Sequence, residues 1–245
     1  MIKIQSLGAL LLGVGAAALL ATPLMSPAQT GGATAKRKPA LMPVYQPPMR
    51  GTTVGGRIGG GTRGTAEQPI TLSVLAPEHP GLTVNPQPRL YWYLSDTVAV
   101  AAELTVIDRR KADPLLELAI APPIQAGIHT LDLARHGVRL DPGARYEWFV
   151  ALVVDRQQRS HDIVAGGEVD LVAPPAGLEG RLADAGAAGG AGVYAGAGMW
   201  YDAIDSASLR VARNPGDALA RAQRAALLEQ VGLAHVAAYD RGDKP

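Results

Sequence analysis

Ser160, His161 and Asp162 are the residue types of a hydrolytic triad, placed in immediate succession. A triad needs nucleophile, base and orienting acid to converge, whereas on an extended segment Ser160 and Asp162 point one way and His161 the other. The run reads instead as a polar turn leading into a strand, and a hydrolase centred on it ranks third among the functions considered. Gly59-Gly60-Gly61-Thr62-Arg63-Gly64 fits G-x-G-x-x-G, the dinucleotide turn. That turn requires a strand before it and a helix after it; here a proline-rich tail precedes and Pro69 with a strand follows. Gly55 to Thr62 nearly fits a phosphate loop, with Gly61 where lysine is required. The preferred reading is a segment whose glycines let its backbone lie against another surface, with Arg57 and Arg63 available to a carboxylate or phosphate. His79, His129, His136 and His235 are scattered without metal-ligand spacing, so no metal and no cofactor is expected. Arg241-Gly242-Asp243 matches an adhesion tripeptide, a chance-prone motif.

Tyr91-Trp92-Tyr93 carries a sugar-binding hypothesis, since exposed flat rings stack on pyranose faces. Alternation along a strand puts Trp92 on the side opposite the two tyrosines. Trp92 is expected in the core, with Tyr91 and Tyr93 either meeting a helical layer, the favoured reading, or facing a glycan or other partner.

The elements that must position these residues follow from pattern. Short β-prone runs cover 70–75, 89–94, 98–107, 115–120, 128–133, 146–154 and 163–172, separated by turn chemistry, which predicts a sandwich of about seven strands. Leu140 to Trp148 reads as an immunoglobulin-type corner: Leu140 tucks inward, Pro142-Gly143 turns the chain, and the Tyr146 hydroxyl returns to backbone upstream. Trp148 follows in a strand apolar on both faces, hence central. Past Pro174-Pro175 a Gly/Ala-rich connection leads to helix. Val193, Ala197, Trp200, Ile204, Ala207 and Val211 form one stripe, predicting a helix of about five turns stopped by Asn214-Pro215. Asp217 caps a second helix to about Val231, ended by Gly232, with Leu233 packing back. Gly192, Gly196 and Gly198 weaken the first helix, and close packing is expected to compensate. A two-helix hairpin cannot bury its stripe alone, so it should dock on the sandwich through Trp200 and Tyr201.

Several of these pieces resemble an uncharacterised exported bacterial family catalogued as domain of unknown function 928. The matching segments are Tyr45-Gln46-Pro47-Pro48 with Arg50-Gly51, Gly59 to Gly64, Leu90 to Tyr93, Gly143 to Trp148, Asp155 with Arg159-Ser160, and Gly198 to Ala203. The chain departs at Gly166-Gly167, where the resemblance implies a tryptophan in place of the second glycine. It implies no activity, substrate or catalytic residue. The helical hairpin separately looks tetratricopeptide-like, although one hairpin is short of the repeat number a solenoid needs.

Composition sets the remaining bounds. Lys3, an apolar run from Leu7 to Leu20 and Ser26-Pro27-Ala28 make a secretory leader expected to end at residue 28. The run is shorter than the roughly 20 residues a span needs, so no membrane span is expected after cleavage. With no cysteine, neither disulfides nor thiolate chemistry is available. The 23 basic and 22 acidic residues nearly balance, which argues against a nucleic-acid binder. The expected organisation is a leader (1–28), a flexible basic Gly/Pro-rich arm (29–68), a mainly β immunoglobulin- or fibronectin-like sandwich (69–173), and a helical hairpin with tail (174–245). The expected function is a periplasmic or secreted, non-catalytic interaction or scaffold protein whose partner is another envelope protein. A carbohydrate or cell-wall binding module is the alternative.

Overall fold

In the computed structural model, the structure describes residues 42–48, 56–61 and 69–242. The leader and Arg63 lie outside them. Nine strands and four α-helices follow one another: β1 (Ile58–Gly61), β2 (Ile70–Val74), β3 (Gly81–Thr83), β4 (Arg89–Leu94), β5 (Ala101–Asp108), β6 (Leu116–Ile120), β7 (Gly127–Asp132), β8 (Arg145–Val153), β9 (Ile163–Leu171), α1 (Leu178–Gly196), α2 (Trp200–Arg213), α3 (Ala218–Gln230) and α4 (Ala234–Arg241). The strands make a four-stranded sheet ordered β1-β2-β4-β7 and a five-stranded sheet ordered β3-β9-β8-β5-β6. Every pairing is antiparallel except β3 with β9.

Strand alternation explains the layers. On β8, Tyr146, Trp148, Val150 and Leu152 are fully buried, while the intervening residues are half-buried. Leu90, Trp92 and Leu94 of β4 share one face with Leu131 of β7, and with the β8 row they belong to a single hydrophobic core. The opposite face of β4 carries Arg89, Tyr91 and Tyr93, and the helices cover it: Tyr91 donates to Asp205 of α2 at 2.6 Å, and the Tyr93 ring lies 5.2 Å from that of Tyr239 on α4. Both tyrosines are buried.

The corner before β8 closes as a hydrogen-bonded loop. Leu140 is buried, Gly143 adopts φ 77°, and the Tyr146 oxygen accepts from the Asp141 amide at 2.7 Å. The otherwise unpaired corner amide thereby finds a partner beside the core.

Several expectations are corrected. The stripe from Val193 to Val211 is not one helix: the chain breaks at Ala197-Gly198, where Gly198 takes φ 76°, and α1 and α2 are separate. Gly192 and Gly196 meet nothing nearby; the close approaches occur at Gly198, where a Cβ would lie 3.0 Å from Gln46 O, and at Gly190, where one would lie 2.8 Å from Ser206 Oγ. The Gly/Ala-rich connection is itself α1, which breaks internally at Gly186 (φ 61°), and α4 occupies what read as tail, so the helical part holds more than the two helices expected. Intrinsic amphipathicity is too weak in α1 to announce a helix; packing against α2 supplies the missing stabilisation.

Nor is the whole arm free. Tyr45 is buried, edge-on to Trp200 at 5.0 Å and stacked on His79, and the Gln46 amide donates to Ala195 O at 3.1 Å. Residues 56–61 join both sheets, with β1 paired along β2 while the Gly166 amide of β9 donates to Gly56 O at 3.0 Å. A Cβ at Gly59 would lie 2.5 Å from Val164 O, so only glycine fits that backbone approach.

Candidate functional site

The chemistry-bearing residues singled out in the sequence are spread apart. Ser160 and His161 are exposed on a single 3-10 turn between β8 and β9. Asp162 is engaged in structure: it accepts from Arg159 Nε at 2.6 Å and from the Val154 amide at 3.2 Å, while Arg159 also holds Glu103. The three do not converge.

A serine and a histidine do meet elsewhere. Ser73 Oγ of β2 lies 2.8 Å from His235 Nε2 of α4, the separation a nucleophile and base require. Ser73 is fully buried, which denies a substrate access. Burial, then the charge of Arg57, holds the His235 imidazole below its usual range, and the pair serves to bridge the four-stranded sheet to α4. Among the described residues no group of three or more His, Cys, Asp or Glu could hold a metal ion. Among them, too, no helix is long and apolar enough to cross a membrane.

Of the predicted contact residues, Arg57, Tyr91 and Tyr93 are internal joints. Arg57 donates to the carbonyls of Val231 and Ala76 and pairs with Glu78 at 2.5 Å, fixing β1 to the end of α3. The buried rings of Tyr91 and Tyr93 offer no stacking platform, because the helical layer occupies the face they share. Trp92 is fully buried and stacks on His129 at 4.2 Å. Trp200 and Tyr201, both buried, join α2 to the sheets: Trp200 Nε1 donates to Leu75 O at 2.8 Å, and Tyr201 accepts from Trp148 Nε1 at 3.0 Å while donating to Glu168 O at 2.9 Å. Gly167, where the family resemblance implied tryptophan, has no room for one: a Cβ there would lie 2.8 Å from that of Ala76 and 3.1 Å from Trp148 Nε1.

A cleft of about 910 Å³ opens between the outer face of β4 and β7 and helices α2 to α4. Arg89, Tyr91, Thr130 and Asp132 line it from the sheet, Ser208 and Val211 from α2, and Arg221, Arg224, Tyr239 and Asp240 from α3 and α4. The register explains the sheet wall, since Arg89 faces Asp132 and Tyr91 faces Thr130 across β4 and β7. Two ionic joints sit at its base. In one, Arg89 donates to Asp132 through Nε at 3.0 Å and to Asp205 through a terminal nitrogen at 3.4 Å, where Tyr91 also donates. Burial raises the Asp205 carboxyl, opposed by the hydrogen bond from Tyr91 and the charge of Arg89. In the other, Arg224 grips the Asp240 carboxylate through both Nε and a terminal nitrogen, and its remaining nitrogen lies 3.3 Å from Ser208 Oγ. Both partners of that second pair are buried, so removing either would strand a charge.

The cleft was not foreseen because its lining comes from five elements distant in sequence. One signal was present: Ala220, Arg224 and Leu228 recur at steps of four on α3, as do Val236 and Asp240 on α4, which puts one charge into each apolar stripe.

Among solved structures, an engineered protein is 10% identical with a TM-score of 0.29, the match covering 42% of this chain and only 20% of that one. A multi-domain immunophilin from Arabidopsis thaliana is 8% identical with a TM-score of 0.17, over 79% of this chain and 99% of the other. Likenesses this low carry no argument. No curated protein matches the chain. The profile of the family described as Domain of Unknown Function (DUF928) matches residues 58–240, and the chain, in which that match runs from β1 to α4, belongs to this family.

Proposed function

We propose that this protein is an exported, non-catalytic interaction module of the bacterial envelope, built as an immunoglobulin-like body with a tetratricopeptide-like helical layer docked on it, and that the cleft beneath that layer is its binding site. The single observation carrying the reading is the contrast between the cleft and the residues with catalytic potential. Ser73 is sealed in the interior with His235 spent on bonding it, and Asp162 is tied to its own turn, while the cleft has a floor of completed ion pairs and a wall that includes the half-exposed ring of Tyr239. A floor already saturated with hydrogen bonds is rigid, which suits recognition.

The immunoglobulin-like part of the reading is supported by strand order. Taking β2, β4 and β7 as strands A, B and E, the other sheet runs A′-G-F-C-C′, with β3 parallel to β9 as A′ is to G. Tyr146 then stands at the start of strand F, its oxygen bonded five residues upstream. Trp148, two residues on, takes the place at which antibody domains carry a core cysteine. The apolar leader supports export.

Carbohydrate or cell-wall binding is the second reading, favoured by the exposure of Tyr239 in place of Tyr91 and Tyr93. Affinity capture from an envelope fraction tests the first. The full chain retains a partner that an Arg221→Glu variant loses; equal retention by both would remove the cleft from the interaction.

A further inference from the structure

From the cleft's exposed groups we infer its ligand class: an acidic polysaccharide, a chain of pyranose rings bearing carboxylate or sulfate groups. This rests on the cleft being the binding site. The two carboxylates that line it, Asp132 and Asp240, are each held by arginine at the base, Asp240 being buried outright, and Asp205 behind them shares Arg89. The groups nearer solvent are of the opposite sign. Arg135 is 84% exposed and stands 3.7 Å from Asp132, and His136 beside it is exposed. Arg221 spends its Nε on Pro215 O at 2.8 Å and leans toward Asp240 O at 3.5 Å, contacts to carbonyls that leave its positive charge uncompensated by any carboxylate of its own. A ligand entering this cleft therefore meets guanidinium groups first, and these favour a planar, doubly accepting anion.

The second feature separates a glycan from other anions. Tyr239 is 44% exposed, one residue from the Asp240 carbonyl that Arg221 approaches, and is backed by the buried ring of Tyr93 at 5.2 Å. A ring anchored by a tilted aromatic contact and nearly half exposed is a platform for the apolar face of a sugar. An aromatic platform next to an uncompensated guanidinium fits a pyranose that carries its own acid. A neutral glycan would use the ring and leave the arginines unemployed; an acidic peptide would use the arginines and have no need of the ring.

Isothermal titration of the full chain with a galacturonate hexamer tests this. Binding is expected to weaken roughly tenfold for Tyr239→Ala and for Arg221→Gln, and less for the solvent-facing Arg135→Ala. Tyr239→Phe should retain it, and added salt should reduce it. Matching circular dichroism and thermal midpoints identify variants that remain folded. A heparin-derived hexasaccharide that binds comparably widens the anion to sulfate within the same class, and its failure confines the class to carboxylate. Maltohexaose binding as tightly as the galacturonate hexamer overturns the acidic requirement, as does absence of any glycan binding. A glutamate hexamer that binds alone, sensitive to Arg221→Gln, overturns the glycan and leaves the interaction-module reading intact. Glycan binding indifferent to all the cleft variants overturns both.

Discussion

The two ends of α2 meet the rest of the molecule in opposite ways. At its N-terminal end Trp200 and Tyr201 are sealed into the interior, each hydrogen-bonded to the sheets, and a Cβ at Gly81 would lie 2.6 Å from the Tyr201 ring. Toward its C-terminal end, Ser208 and Val211 face a cleft, and α2 is tied to the sheet through the Asp205 carboxylate. Aromatic burial locks one end, whereas ion pairs brace the other at a distance. The difference teaches how a binding space survives beside a close-packed core: large apolar groups draw surfaces together, and charged groups tolerate a gap because solvent can reach their outer atoms.

Trp200→Ala strikes the sealed end hardest. It empties a fully buried site and orphans the Leu75 carbonyl, and is expected to cost about 3–5 kcal/mol in urea unfolding. A loss no greater than that of Arg135→Ala would show that α2 is anchored elsewhere. At the open end, Arg224→Ala leaves Asp240 buried without its cation, also at about 3–5 kcal/mol. The double variant Arg224→Met, Asp240→Leu should recover most of that loss; failure to recover would mean that the pair does more than neutralise itself.

Tyr201→Phe sharpens the comparison on a smaller scale. It keeps the ring but deprives the Trp148 N–H of its acceptor and Glu168 O of a donor, for an expected loss of about 1–3 kcal/mol by the same measurement. An unchanged midpoint would reduce the sealed end to apolar packing alone. The mildest test is by pH. Burial raises the Asp202 carboxyl from 3.8 to about 6, against hydrogen bonds from the Val84 amide and Thr83. The folded state thus holds this proton more tightly than the unfolded chain does, so the stability it contributes is complete below about pH 3.8 and declines as pH rises to 6. Asp202→Asn keeps an acceptor for Val84 and should remove that decline relative to the parent, read from urea midpoints between pH 4 and 6.5. A parallel offset with the same slope would show that Asp202 titrates normally. Asp108 acts in the opposite sense and at lower pH: hydrogen bonds from Arg110 depress its carboxyl to about 2, so its contribution is lost as pH falls toward that value.

The strands were more legible than the helices for a physical reason. Seven runs of alternating or continuous apolar residues correspond to β2 and β4 to β9, because a buried strand writes its burial at a period of two. β1 has no such record: Ile58-Gly59-Gly60-Gly61 is a strand because its bare backbone fits between β2 and β9. Likewise Gly198, at φ 76° with the Gln46 carbonyl packed against it, interrupts a stripe whose spacing runs smoothly across it. The cleft left still less trace, since Arg89, Arg221 and Tyr239 are brought together by layers and not by spacing.

By itself, then, the sequence determined which segments could bury a face, where the corner before Tyr146 turns, and that no thiol chemistry is available. Those properties depend on near neighbours in the chain. Tertiary structure alone decided that Tyr91 and Tyr93 are covered while Tyr239 is open, that a buried Ser73 meets His235, and that the arm's glycines close two sheets together. Exposure and encounter depend on which surfaces pack against each other, and that choice is made by the summed burial of the whole fold.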